Sequence, residues 1–212
     1  MSELRIDPET TAAVVVECQN DLIHESKAEG RGVSGALARA VKQRNVLANI
    51  ARVLAAGRAA RVPVLYATIE NRPGVPKPSC AIYRWSSSAE LLRPDTWGVR
   101  VHDAIAPQPG DHVLNRHLGV DPSYGSSLFA TLRALGRRAI IVMGVSTNFA
   151  VEGTVRGAVN RMFDVVVVED ACASAGDDYH EFAVRKILPL LATVTTTETV
   201  VSALRRGRRP DR

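Results

Sequence analysis

The fold is decided by the stretch AIIVMGVSTNFAV, residues 139–151. Its first five residues form a continuous apolar run, which is typical of a strand buried on both faces. Helical spacing then begins at Phe149 and continues to Arg161. A strand that runs into a helix presents main-chain N–H groups where an oxyanion can be stabilised, so a nucleophile is expected at this turn. The chain instead has Ala150 there, and a methyl group cannot attack a substrate.

Outward from this stretch, strand-like and helix-like segments alternate. The pattern predicts strands at 12–17, 63–68, 111–115, 139–143, 165–168 and 193–197, and helices at 33–56, 126–135, 149–161 and 178–191. Such alternation predicts one doubly wound α/β domain over residues 1–204, with a mostly parallel six-stranded sheet and helices on both faces. Residues 70–109 are the least regular and are rich in proline, which indicates a lid or binding loop.

Composition excludes several classes of protein. No apolar run approaches the roughly 18 residues that a membrane span needs, so no membrane partner is expected. The N-terminal residues lack the apolar core of a signal peptide, which makes the cytoplasm the expected location. The three cysteines, Cys18, Cys80 and Cys172, are scattered, which argues against a disulfide framework or a thiolate metal site.

The net charge of +5 is concentrated in a basic C-terminal tail. Residues 205–212 contain five arginines and Asp211, a net charge of +4, which leaves +1 for the body of the chain. No aromatic residues interleave with these arginines, as base stacking would require, so a nucleic-acid partner is disfavoured. The tail is expected to be disordered.

In doubly wound sheets, ligands bind beyond the C-terminal ends of the strands. Three motifs occupy these ends: ECQNDL at 17–22, VLNR at 113–116 followed by YGSSLF at 124–129, and GVSTNFAV at 144–151. In this order and at this separation they resemble the isochorismatase-like hydrolase superfamily, which includes nicotinamidases, carbamoylsarcosine and maleamate amidases, and isochorismatase. The resemblance covers nearly the whole chain.

The resemblance implies where a catalytic triad would lie. The amidases of this superfamily use an aspartate, a lysine and a cysteine, and the matching positions here are Glu17, Arg116 and Ala150. Glutamate places its carboxylate about one methylene further out, and arginine is not a proton donor at neutral pH. Alanine has no lone pair. Cysteine-hydrolase chemistry at this position is therefore excluded on chemical grounds.

Other candidate residues surround this triad. Cys18 follows Glu17 on a strand and is expected to point to the opposite face as a core residue. Ser146 is expected to contribute its main-chain N–H, and the resemblance implies a cis peptide at Val145-Ser146. His117 either faces the pocket as an acid or donor or is exposed to solvent.

Aromatic side chains are the candidates for an apolar pocket. Tyr124, Trp97, Trp85 and Phe149 either line that pocket or pack in the core. The histidine-containing metal site of nicotinamidases has no counterpart in residues 68–73, so no metal and no cofactor are expected.

Two functions remain open. Isochorismatase itself lacks the cysteine, so the resemblance implies a hydrolase in which Glu17 protonates a small substrate and Arg116 anchors a substrate carboxylate. Alternatively, the protein binds a small molecule without turnover, and Glu17 and Arg116 form a structural ion pair. The resemblance also suggests a homodimer or homotetramer.

Overall fold

A computed structural model describes residues 3–88 and 90–207. Six strands form one sheet in the order β3-β2-β1-β4-β5-β6, and neighbouring strands are parallel. The strands are β1 (Thr11–Val16), β2 (Val64–Ile69), β3 (His112–Arg116), β4 (Ala139–Val145), β5 (Asp164–Ala173) and β6 (Thr193–Thr195). The predicted doubly wound sheet is confirmed, and each predicted strand is present.

The strand order reverses between β1 and β4, which are neighbours in the sheet but not in the chain. All six residues of β1 are buried, and Val16 at its end pairs with Ala67 of β2 and Gly144 of β4. A reversal of this kind opens a crevice at the carboxyl ends of the strands. Glu17 follows β1 directly and therefore lies at that crevice.

Eight α-helices surround the sheet among the described residues. They are α1 (Asn20–Ile23), α2 (Val33–Gln43), α3 (Val46–Ala59), α4 (Ala81–Ser88), α5 (Leu128–Ala134), α6 (Glu152–Val159), α7 (Asp177–Phe182) and α8 (Thr197–Gly207). The helices that join β1 to β2 lie on one face and the helix that joins β4 to β5 lies on the other, because right-handed crossovers change face where the strand order reverses.

The prediction of one continuous helix over residues 33–56 is wrong, although the region is helical. The structure has two helices, α2 and α3, separated at Arg44 and Asn45. Asn45 has a φ of 54°, in the left-handed region that ends a helix and that asparagine tolerates better than most residues. The apolar spacing continues across the break, which is why the sequence pattern does not reveal it.

The last helix, α8, was not predicted, and it includes the beginning of the predicted tail. Thr197 starts it, and its main-chain N–H and hydroxyl both donate to Asp170 Oδ1, at 2.7 and 2.8 Å. Val200, Val201 and Leu204 are buried on its inner face. The prediction of disorder from Arg205 is therefore wrong for residues 205–207, which continue this anchored helix. Residues 208–212 lie outside the described residues.

The irregular segment, residues 70–109, is held over the end of β1 by the polar residues that follow Glu17. Gln19 donates from Nε2 to the main-chain oxygens of Ile69 and Val99, at 2.8 and 2.7 Å. Asp21 Oδ2 accepts from the main-chain N–H of Leu92 at 2.7 Å. This segment contains α4 and forms one wall of the crevice.

Within residues 3–88 and 90–207, none of the helices combines the length and apolarity that crossing a bilayer requires.

Candidate active site

A cavity of about 90 Å³ lies at the carboxyl ends of β1, β3 and β4. Its walls are mainly apolar, and a carboxyl group and a guanidinium group provide the charged side chains. The lining residues are Glu17, Leu22, Val33, Leu37, Ile69, Asn71, Ile82, Tyr83, Trp85, Ser86, Leu92, Arg116, Gly119, Val120, Ser146 and Phe149. This is the crevice that the strand order predicts, and it contains two of the three triad positions.

Glu17 is held in the cavity wall by the backbone of two strands. Its main-chain N–H donates to Ala67 O at 3.0 Å, and its φ of 50° is a left-handed conformation that costs a non-glycine residue free energy. The side chain is only 14% exposed. Burial raises the pKa of the Glu17 carboxyl, and the neighbouring Arg116 cation opposes this effect without cancelling it.

Arg116 is buried and uses its donors within the protein. Nη2 donates to Glu17 Oε1 and to Val120 O, the latter at 3.1 Å. Nε donates to Gly119 O at 3.2 Å, and Nη1 to Thr68 O at 3.4 Å. The expectation that Arg116 anchors a substrate carboxylate bidentately is therefore wrong for this structure, because its planar fork already faces protein oxygens.

The turn after β4 has the backbone that the sequence resemblance implies. The Val145-Ser146 peptide is cis, and a π-helical turn, Thr147–Val151, leads into α6. Ala150 is 1% exposed, and its carbonyl accepts from the Thr154 hydroxyl at 2.7 Å.

Several amides of this turn already have acceptors. The main-chain N–H groups of Phe149 and Val151 donate to Ser146 O, both at 3.1 Å, and that of Asn148 faces Ser174 Oγ at 3.4 Å. These three groups are consequently not free to stabilise an oxyanion.

A buried histidine fixes the start of the turn. His180 of α7 faces the Thr147 hydroxyl through Nδ1 at 2.8 Å, and its Nε2 lies 2.7 Å from Arg44 Nη2. Since a guanidinium can only donate, Nε2 accepts and Nδ1 carries the proton. Burial lowers the pKa of His180 to about 4 and keeps the ring neutral.

The structure brings some of the predicted pocket residues together. Ser146 and Phe149 line the cavity beside Glu17 and Arg116, and Trp85 lines it from α4. Phe149 remains 51% exposed, so it lies at the edge of the cavity.

The structure places three other predicted residues elsewhere. Trp97 is 44% exposed and meets the His24 ring edge-on, with the centroids 4.7 Å apart. Tyr124 is 67% exposed. His117 Nδ1 lies 3.3 Å from Glu70 Oε1. None of the three is among the residues that line this cavity.

Tyr83 is a cavity residue that sequence reasoning missed. It lies in α4, within the segment that the sequence shows as irregular, and it is largely buried. Burial raises the pKa of its hydroxyl, and a hydrogen bond with the main chain of Gly119 opposes this. The closely spaced Ile82, Tyr83 and Trp85 were the available signal for a short helix with one apolar face.

The cysteines do not supply a substitute thiolate in the described cavity. Cys18 and Cys172 are buried, and burial raises the pKa of each thiol, to about 12 for Cys172. Cys80 is exposed and is not among the lining residues. The interpretation of Cys18 as a small core residue agrees with its 2% exposure.

One group of possible metal ligands lies outside the cavity in the described part of the chain. The nitrogen and oxygen atoms of His24, Glu25 and His102 lie within 4.8 Å of one another. Each imidazole accepts a main-chain N–H at Nδ1, from Ser26 and Ala104, both at 3.2 Å. In the neutral rings Nε2 then carries the proton. The Nε2 of His102 donates to Glu25 Oε2 at 3.1 Å and is not a free ligand, and the Nε2 of His24 lies 3.7 Å from the same oxygen.

Comparison with known proteins identifies relatives along almost the whole chain. A family model described as the isochorismatase domain matches residues 11–199. Ureidoacrylate amidohydrolase RutB of Methylobacterium radiotolerans is 32% identical over 95% of this chain and 82% of its own. The protein of the same name from Agrobacterium fabrum is 31% identical, with 94% and 93% covered.

Solved structures give the same result. A cysteine hydrolase from Pseudomonas syringae pv. phaseolicola superposes with a TM-score of 0.81 at 25% identity, over 97% of each chain. N-carbamoylsarcosine amidase from Thermoplasma acidophilum superposes with a TM-score of 0.70 at 27% identity, over 89% of this chain and 97% of its own.

Proposed function

The chain belongs to the isochorismatase family of hydrolases, and on this premise we propose that it acts on a small molecule by acid–base chemistry at Glu17, without a cysteine nucleophile. The observation that supports this most strongly is the environment of Glu17. It is the acidic side chain among the cavity's lining residues, and burial raises its pKa. A carboxylic acid that stays protonated closer to neutral pH is suited to general acid catalysis.

Arg116 is a positioning residue in this proposal. Its guanidinium holds Oε1 of Glu17, which directs the rest of the carboxyl group toward the cavity that both residues line. The cation also limits how far the pKa of Glu17 rises. Arg116 therefore fixes both the direction and the acidity of the proton donor.

The chemistry that needs no nucleophilic side chain is protonation followed by addition of water. Glu17 donates its proton to the electron-rich carbon of a vinyl ether, and the resulting oxocarbenium ion takes up water. The water molecule then returns a proton to the Glu17 carboxylate, and the hemiketal breaks down to a carbonyl compound and an alcohol. The methyl group of Ala150 leaves amide substrates without a covalent route at this position.

The second candidate function is binding without turnover. The observation that favours it is the direct contact between Glu17 and Arg116 in a cavity of only about 90 Å³. In that case the ion pair is structural, and the cavity retains a small ligand whose bonds are not broken. The relatives are named as amidohydrolases, but the replaced cysteine makes such a loss of activity chemically straightforward.

One experiment separates the two functions. The purified protein is incubated with small vinyl ethers, amides and ureas of carboxylic acids, beside the variants Glu17→Gln and Glu198→Gln. Acid catalysis predicts turnover in the wild type and in Glu198→Gln, which changes an exposed carboxylate on α8, and none in Glu17→Gln. The rate should fall as pH rises through the raised pKa of Glu17.

Turnover that survives in Glu17→Gln would rule out Glu17 as the general acid. Binding measured by calorimetry, with no turnover in any of the three proteins, would support the second function.

A further inference from the structure

A second chamber adjoins the cavity on its outer side. Its volume is about 450 Å³, and it shares the lining residues Asn71 and Ser86 with the inner cavity. A ligand that fills the inner cavity can therefore extend into the outer chamber past these two side chains. The outer chamber is polar and basic, since Arg72, Lys77 and Arg93 line it and Glu90 is its acidic residue.

The two arginines of this chamber each have a carboxylate partner. Arg72 Nε donates to Glu70 Oε1, and Arg93 Nη1 donates to Glu90 Oε1 at 3.1 Å. Their positive charges are therefore balanced within the protein.

Lys77 has a different environment. Its Nζ donates to Asn71 Oδ1 and lies 5.7 Å from the centroid of the Tyr83 ring. Both contacts are with neutral groups, and in residues 3–88 and 90–207 no carboxylate is recorded within ion-pair distance of this ammonium. Partial burial lowers the pKa of Lys77, which is the effect of removing water from a cation without supplying an anion.

The two neutral contacts also connect Lys77 to the inner cavity. Asn71 and Tyr83 both line that cavity. An aromatic face and an amide oxygen attract a cation more weakly than a carboxylate does. A ligand anion at this position would supply the missing counter-charge while the ligand's apolar part remained in contact with the inner walls.

We propose that Lys77 is an anion-binding residue that holds a small carboxylate in the outer chamber, while the apolar part of the same ligand occupies the inner cavity beside Glu17. The proposal rests on the proposed function for the use of the inner cavity. It names the substrate class: a short, mainly apolar carboxylate whose charged end reaches Lys77 and not Arg116. Lys77, a residue of the irregular segment, therefore anchors the substrate carboxylate in place of Arg116.

The test compares two probes that differ in charge and hardly in shape, butanoate and butanamide. Chemical-shift titrations at constant ionic strength give the Kd of each for the wild type, Lys77→Met, Lys77→Arg and Arg52→Met. Methionine retains most of the lysine stem and removes the charge. Circular dichroism checks that each variant is folded.

We expect the wild type to bind butanoate at least tenfold more tightly than butanamide. Lys77→Met should abolish this preference and leave butanamide binding unchanged, and Lys77→Arg should retain most of it. Arg52→Met should change either Kd less than twofold, because Arg52 lines neither the inner cavity nor the outer chamber and its guanidinium is paired with Glu198. Equal binding of the two probes, no binding of butanoate to the wild type, or a butanoate Kd unaffected in Lys77→Met would each overturn the proposal.

These titrations and the turnover measurements on Glu17→Gln together distinguish this proposal from the proposed function. If butanoate binding depends on Lys77 but no substrate is turned over, the anion site stands and the catalytic proposal fails. If turnover depends on Glu17 but butanoate binding does not depend on Lys77, the catalytic proposal stands and the proposed anion site fails.

Discussion

Glu17 Oε1 and Val120 O accept from the same nitrogen of Arg116, so one guanidinium joins the end of β1 to the loop that follows β3. The side chain of Arg116 is 1% exposed and that of Glu17 is 14% exposed. A buried charge that loses its partner is costly, whereas the intact pair adds little net free energy. The structural importance of Arg116 should therefore appear most clearly when it is removed alone.

We predict that Arg116→Met lowers the free energy of unfolding by about 3–5 kcal/mol, because it leaves a buried carboxylate without its cation and removes the hydrogen bonds to the carbonyls of Thr68, Gly119 and Val120. Urea denaturation monitored by circular dichroism measures this. The matched control is Arg52→Met, whose ion pair with Glu198 is exposed and should contribute less than about 1 kcal/mol. The double variant Glu17→Gln/Arg116→Met should recover part of the loss, and failure to recover any would show that Glu17 is not the group left uncompensated.

His180 should make the protein less stable in mild acid. Its pKa falls from 6.5 to about 4 on folding, so the unfolded chain binds more protons between these values. Its contribution is fully present above pH 6.5 and is lost as pH falls toward 4, by up to about 3 kcal/mol.

The measurement for His180 is the unfolding free energy at pH 4 and pH 7 in the wild type and in His180→Gln. The variant should be less stable at pH 7, since it loses contacts with Thr147 and Arg44, and should lose less stability on acidification. Equal losses in the two proteins would contradict the assignment.

We predict that Ala150→Cys does not restore amidase activity. Position 150 is 1% exposed, and burial of a thiol there opposes formation of the thiolate. The variant is made in a Cys80→Ser background, because Cys80 is the exposed cysteine of the described chain. Alkylation by iodoacetamide should be slow at neutral pH, and rapid alkylation together with amide hydrolysis would prove the prediction wrong.

Gly144 should be among the least replaceable residues of the sheet. Its φ is 123°, and a Cβ at this position would overlap the main-chain oxygen of Val16, immediately before Glu17. Gly144→Ala should therefore destabilise the fold by more than about 3 kcal/mol, since backbone must move to relieve the overlap.

Gly136→Ala is the matched control for Gly144. It has a φ of 68° and nothing within 4 Å of an added Cβ, so it should cost only the left-handed conformation, about 1–2 kcal/mol. Similar losses in the two variants would show that the close approach of β4 to β1 is unimportant.

Most of the fold was predictable because its signals are local. The apolar runs that form β1 and β4 are each followed along the chain by segments with helical spacing, and burial on both faces leaves that pattern in the sequence itself. The break between α2 and α3 was not predictable, because the conformation of Asn45 changes no apolar position. α8 was missed because its start depends on Asp170, which is 27 residues earlier in the chain.

The sequence alone determined that no thiol occupies position 150, that a carboxylate lies at the end of the first predicted strand, and that a cation lies at the end of the third, since residue identity and the positions of the strand-like runs fix these points. Only the tertiary structure decided what those groups contact. Arg116 meets Glu17 across 99 residues, and its remaining donors are occupied by carbonyls whose positions no local pattern encodes. The surroundings of Lys77 and Tyr83, and the outer chamber, could not be predicted for the same reason. Their neighbours are set by how residues 70–109 fold back over the sheet, and this long-range packing leaves no periodic pattern in the sequence.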